Sequence, residues 1–235
     1  MNSIVKATDL CVDYPIYGTR SLKNTVITGV TGGRIKMAEN TTIVRALDCL
    51  NFEFYEGDRV GLWGHNGSGK TTLLRVLAGI YEPSCGSIKI KGTVDSFLNI
   101  SLGMEGEATG LENIYMRAAM MGMSKKEIQE KLDEIIEFSE LGNFIYLPFR
   151  TYSSGMQMRL AFSVSTCVRS DIIIMDEWLS VGDAEFMAKA GERLNNILSE
   201  AKLLVIASHS GSLIEMVCNR VLQMEHGVIV SDTRM

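Results

Sequence analysis

The sequence predicts an α/β core interrupted by a helical insert, and three observations carry that reading. A strand pattern at 59–63 runs through a glycine-rich turn into helical spacing over 70–78, marked by Leu73, Leu74 and Leu77. Two short apolar runs, 172–175 and 203–207, have the length and unbroken hydrophobicity of strands covered on both faces. Between these sets of strands, from about 95 to 150, the pattern turns helical.

The elements follow in order. Ile4, Val5, Leu10 and Val12 alternate with polar residues and predict a first strand ending near Tyr14. Residues 15–42 break the alternation with Gly29, Gly32, Gly33 and many threonines, and read as an inserted loop or amphipathic excursion. Strand signals resume from Ile43 towards Phe54, and Gly57-Asp58 turns the chain into 59–63. A short strand over 87–91 precedes Gly92. In the helical middle, Ser124 with Glu127 three residues later is a capping box, and Ile128, Leu132, Ile135 and Ile136 mark one apolar face. Strands return at 171–175 and 203–207, with helical segments between and after them. His226-Gly227 between two apolar runs predicts a closing hairpin. The expected organisation is one domain over 1–235, with α/β core at 1–94 and 160–235 and a helical lobe at about 95–159.

Composition narrows the function classes. A chain of 235 residues can bury a real core, and its net charge of −5 leaves no broad basic field for nucleic acid. No run approaches the roughly 18 apolar residues that span a bilayer, and the N-terminus lacks a signal-peptide pattern. Cys11, Cys49, Cys85, Cys167 and Cys218 stand far apart with no CxxC pairing. They read as packing residues in a reducing cytosol, not as metal ligands.

Gly64-His65-Asn66-Gly67-Ser68-Gly69-Lys70-Thr71 fits GxxxxGK[ST] with a strand before it and a helix after it. Glycines let the backbone curl closely and turn its N–H groups towards phosphates, and the helix N-terminus adds partial positive charge. The expected nucleotide contacts are Gly64, His65, Asn66, Gly67, Ser68, Gly69, Lys70, Thr71 and Thr72. Lys70 is expected at the β- and γ-phosphates of ATP and the Thr71 hydroxyl at Mg²⁺. The apolar run 172–175 ends in Asp176-Glu177. Asp176 is placed to complete the Mg²⁺ shell, and Glu177 to orient and deprotonate the attacking water.

Thr151-Tyr152-Ser153-Ser154-Gly155-Met156-Gln157 stands about twenty residues before the acidic pair and opens a helical pattern. Taken together, these motifs resemble the nucleotide-binding domain of ABC transporters. The resemblance covers nearly the whole chain, including Leu73-Leu74-Arg75-Val76-Leu77-Ala78-Gly79-Ile80, Pro83, Gly86 and Gly92. It implies an ABC-type P-loop ATPase core with an inserted helical lobe and an antiparallel β subdomain. It also implies a head-to-tail homodimer in which Ser153, Ser154, Gly155 and Met156, the LSGGQ-like stretch, contact ATP held by the other copy. Ser180-Val181-Gly182-Asp183 resembles the D-loop, with Asp183 at the dimer interface, and His209 resembles the switch histidine. Tyr14 stands where the family places an adenine-stacking aromatic, with Tyr17 as the rival.

Within the family, three features resemble ATPase subunits that export O-antigen, capsule or teichoic acid. They are the Tyr-Ser-Ser-Gly-Met form of the signature, Phe186 after Val-Gly-Asp, and Thr109-Gly110-Leu111-Glu112-Asn113-Ile114. That branch implies a subunit on the cytoplasmic face of the inner membrane, driving a separate integral-membrane permease for lipid-linked polysaccharide. Two positions depart from the family pattern. Ser154 replaces the usual first glycine, and the stretch 98–103 lacks the family's Mg²⁺-binding Gln, with Asn99 or Ser101 as substitutes. A cassette for another substrate, a soluble ABC ATPase acting on ribosomes or DNA, and a P-loop kinase remain the alternatives.

Overall fold

The buried runs read from the sequence form the parallel centre of a six-stranded sheet in the protein, obtained as a computed structural model. The structure describes residues 3–16, 34–38, 41–177 and 184–235. β1 (Ser3–Ile16), β2 (Arg34–Ala38), β3 (Thr41–Tyr55) and β5 (Cys85–Ile90) make a four-stranded antiparallel sheet in the order β2-β3-β1-β5. The larger sheet takes β4 (Arg59–Trp63), β6 (Val94–Ser96), β7 (Ile172–Asp176), β8 (Leu203–Ala207), β9 (Arg220–Glu225) and β10 (Val228–Arg234). Its order is β10-β9-β4-β8-β7-β6, with β4, β7, β8 and β9 parallel and β10 closing as an antiparallel hairpin. Every residue of β8 and the first four of β7 are buried, as strands covered on both faces require.

Two compact units divide the chain: Met1–Val94 with Ile172–Trp178 and Lys202–Met235, and Asp95–Asp171 with Leu179–Ala201. In the first, α1 (Lys70–Leu77) turns Leu73, Leu74, Val76 and Leu77 inward, as its spacing predicts, and α6 (Gly211–Val217) buries Ile214. A polar node joins the two sheets. Arg220 is buried and grips Asp58 at 2.7 Å and Asp232 at 2.6 Å, with its guanidinium over the Phe54 ring at 5.3 Å. Asp58 also accepts the Tyr55 N–H at 3.0 Å, so one carboxylate fixes the turn between β3 and β4.

In the second unit, α2 (Gly110–Met120), α3 (Lys125–Ser139) and α4 (Ser154–Ser165) share a core of Ile114, Ala118, Ile128, Ile135, Leu160 and Val164. The capping box at Ser124 and Glu127 forms as predicted, and a second one, Thr109 with Glu112, opens α2. Asn113 is buried and donates to the carbonyls of Glu105, at 2.9 Å, and Thr109, at 3.0 Å, so it ties down the loop before α2. α5 (Ala184–Glu200) brings Phe186 against Phe138 and Phe162, with the Arg159 guanidinium 4.8 Å from the Phe186 ring. Helices α4 and α5 therefore belong with the helical unit, beyond the boundary near 159 drawn from sequence.

The ends of the stretch 15–42, read as an inserted loop or amphipathic excursion, are strand. β1 runs on to Ile16, and β2 pairs with β3 from Arg34↔Arg45 to Ala38↔Thr41. Among the described residues β2 is an edge strand with one neighbour, and its short, charge-interrupted alternation gave little signal. Residues 17–33 of that stretch lie outside the described residues.

Candidate nucleotide-binding and hydrolysis site

The glycine loop leaves β4 at Trp63 and enters α1 at Lys70. Its glycines are sterically required. A Cβ at Gly64 would lie 2.2 Å from the Met224 carbonyl oxygen, and Gly69, the α1 cap, holds φ at +105° in left-handed space. The closing hairpin anchors the loop: the Gly227 N–H donates to the Ser68 carbonyl at 3.0 Å, and the His65 and His226 rings lie 4.9 Å apart. Ser68 is fully buried, and its hydroxyl has no hydrogen-bond partner among the described residues. A buried unpaired hydroxyl inside a phosphate-shaped loop marks a cradle for an acceptor-rich ligand.

Lys70 curls back over the loop and donates to the carbonyls of Gly64 at 2.7 Å and His65 at 3.1 Å. Burial lowers its pKa, while the nearby Asp176 and Glu177 carboxylates pull it up. The Thr71 hydroxyl donates to Asp176 Oδ2 at 2.8 Å. Hydroxyl and carboxylate oxygens converging at the mouth of a phosphate loop are the hard donor set that suits Mg²⁺.

Glu177 follows β7 with φ at +67°, left-handed backbone that costs a non-glycine residue about 1–3 kcal/mol. The end of β8 holds it there. Its N–H donates to the Ala207 carbonyl at 2.8 Å; its carboxylate accepts the His209 N–H at 3.0 Å and the Ser208 hydroxyl at 3.1 Å. His209 Nε2 lies 3.9 Å from Glu177 Oε1. The parallel register sets Asp176 against Ala207, which is why residues so distant in sequence meet. Ser208 went unnoticed in the sequence, where only a serine after an apolar run signals it.

Tyr14 lies near the end of β1, half-buried, with its ring edge-on to Tyr81 at 5.7 Å and its hydroxyl 3.4 Å from Thr72 Oγ1. Tyr81 in turn lies 5.6 Å from the Arg75 guanidinium. Thr72 thus contacts an aromatic pair beside α1, and Tyr81 is a member that sequence reasoning missed. Tyr17 and Asp183 lie outside the described residues.

In the helical unit, Ser153 caps α4 by accepting the Met156 N–H at 3.2 Å. Ser153 and Ser154 are exposed, while Gly155 and Met156 are half-buried. A Cβ on Gly155 would meet nothing closer than Ser153 Oγ at 3.9 Å, so the fold itself does not demand a glycine there. With the Met156 N–H bonded to Ser153, the bare backbone leaves the Ser154 and Gly155 N–H groups at the start of α4 for an anion. In the stretch lacking Gln, Ser101 Oγ contacts Met158 Sδ at 3.9 Å and Asn99 is exposed.

Comparison with known proteins identifies the family. The family described as ABC transporter matches residues 47–180. The O-antigen export system ATP-binding protein RfbE of Yersinia enterocolitica is 44% identical over 228 residues, covering 96% of this chain and 95% of its own. An O-antigen export protein RfbB of Klebsiella pneumoniae is 42% identical, covering 77% of this chain and 74% of its own. The teichoic acids export protein TagH of Bacillus anthracis is 41% identical over 78% of this chain, which spans only 33% of that longer relative. A dimeric ATP-binding cassette in a post-hydrolysis state with ADP and Pi superposes with a TM-score of 0.70 at 20% identity, covering 98% of each chain, and shows the fold. The chain belongs to the ABC transporter family, as its ATP-binding and ATP-hydrolysing cassette.

Proposed function

We propose that the chain is the ATPase subunit of an ABC exporter that moves a lipid-linked polysaccharide through a separate membrane permease. The meeting of Thr71 with Asp176, and of Glu177 with His209, at the glycine loop carries the hydrolytic half of this reading. Similarity to O-antigen and teichoic acid export proteins supports the transported class. No helix among the described residues is long and apolar enough to cross a membrane, so the reading assigns the spanning path to the permease. The subunit docks on that permease from the cytoplasmic face.

ATP phosphates lie along the backbone N–H groups of the loop and the first turn of α1. Lys70 exchanges its hold on the Gly64 and His65 carbonyls for the β- and γ-phosphate oxygens. Thr71 and Asp176 would hold Mg²⁺, which would neutralise charge on the transferring phosphoryl group. Glu177, pinned by Ser208 and the His209 N–H, orients the attacking water and takes its proton. The His209 side chain stands beside the same carboxylate, ready to contact the water and the γ-phosphate. Tyr14 lies against the adenine face of the site, beside Thr72.

A second copy completes each site. Ser153, Ser154, Gly155 and Met156 at the α4 N-terminus face the γ-phosphate held by the partner, with Asp183 at the interface. ATP closes the homodimer and hydrolysis reopens it. Cells whose only copy carries Glu177→Gln test the transported class. Lipid-linked polymer held inside, with a bare surface, is the expected outcome; normal surface polymer would redirect the assignment to another substrate.

A further inference from the structure

Three of the five cysteines, far apart in the chain, meet on the antiparallel sheet. Cys11 on β1 is buried; Cys49 on β3 and Cys85 at the start of β5 are exposed. Cys11 Sγ lies 3.4 Å from Cys49 Sγ and accepts the Cys49 N–H at 3.2 Å. On its other side Cys11 is the register partner of Cys85.

Facing bulges create this meeting. Asp9 and Cys49 both hold left-handed backbone, with φ at +48° and +52°, and the β1–β3 register shifts between Ala7 and Leu10 and again between Leu10 and Val12. Asn51 bolts the bulge by accepting the Asp9 N–H at 3.0 Å and donating to its carboxylate at 2.9 Å. Left-handed backbone at a non-glycine residue persists where its surroundings over-determine it, and it clusters at ligand clamps. Here it turns the Cys49 amide onto the Cys11 sulfur, the kind of outer hydrogen bond that tunes a thiolate ligand.

Asp48 adds a hard oxygen. A carboxylate oxygen of Asp48 and the sulfurs of Cys11 and Cys49 all lie within 4.8 Å of one another. Zinc sits about 2.3 Å from thiolate and about 2.0–2.2 Å from carboxylate, so three such atoms need only a small inward shift to share one ion. We propose that Cys11, Cys49 and Asp48 form a site for a thiophilic divalent cation of the Zn²⁺ class.

Binding Zn²⁺ through both sulfurs displaces both thiol protons to solvent, so affinity rises with pH. Arg45, bonded to Asp48 at 3.1 Å and to Asp13 at 2.8 Å, supplies positive charge that favours thiolate and opposes the cation. The site therefore discriminates towards ions that bond sulfur strongly.

Titrating the reduced, nucleotide-free chain with Co²⁺ and then displacing it with Zn²⁺ tests the site. One ion per chain with a thiolate-to-cobalt charge-transfer band, removed by Zn²⁺, is expected. Cys49→Ser replaces an exposed thiol and spares the core. It should weaken uptake by at least the roughly 10–100-fold typical of losing an outer partner. Asp48→Asn should weaken it too, and Cys167→Ser and Cys218→Ser should leave it unchanged. A missing band, a band unaltered in Cys49→Ser, or a reduced chain that takes up no ion and forms only a Cys11–Cys49 disulfide on oxidation would each overturn the proposal.

Discussion

At Glu177 the chain holds a left-handed backbone and gives both carboxylate oxygens a donor from the segment after β8. That is a side chain held in one place, as the proposed proton transfer requires. Glu177→Gln keeps the shape and removes the base, so phosphate release should fall by about 10²–10⁴ while nucleotide affinity is retained. Lys70→Ala should instead abolish productive nucleotide binding, read by equilibrium titration with a labelled ATP. Unchanged affinity and turnover in that variant would reject the cradle assignment. Lys70, Thr71, Asp176 and Glu177 were legible because each sits in a short motif beside a readable strand. Ser208, Tyr81 and the Cys11–Cys49 pair were not, because strand register, a loop after α1 and facing bulges, not sequence spacing, bring their side chains to their partners.

Among the elements, the strands buried on both faces were the clearest in sequence, since β4 and β8 need no polar alternation and end where predicted. β2 was missed, and so was the capping box of α2, although Thr109 and Glu112 carry the same spacing as Ser124 and Glu127. Phe186, first read as a branch marker, is also a packing residue between Phe138 and Phe162. The Arg220 node joins the two sheets through a charge pair that is nearly solvent-free. Arg220→Ala leaves the Asp58 carboxylate buried without that partner and should cost about 3–5 kcal/mol in urea unfolding. The Ser124→Ala change in the α3 cap should cost only about 1 kcal/mol.

For the whole molecule, Asp95 predicts a pH dependence of stability. Desolvation raises its carboxyl from 3.8 to about 6, against the opposing pull of the Ser96 N–H and Arg117. Because the folded pKa is the higher one, the unfolded chain releases this proton first. The contribution is fully present below about pH 4, declines as pH rises to about 6, and is flat above that. Wild-type stability measured against Asp95→Asn should fall across that window; a difference independent of pH would contradict the burial argument.

The central claim is that the chain hydrolyses ATP only when two copies complete each other's sites. Phosphate release per mole of purified chain, followed as chain concentration rises at saturating MgATP, tests it most directly. The account predicts specific activity that climbs with concentration and then saturates, as dimers replace monomers. Constant specific activity down to concentrations where sedimentation finds only monomer would contradict it.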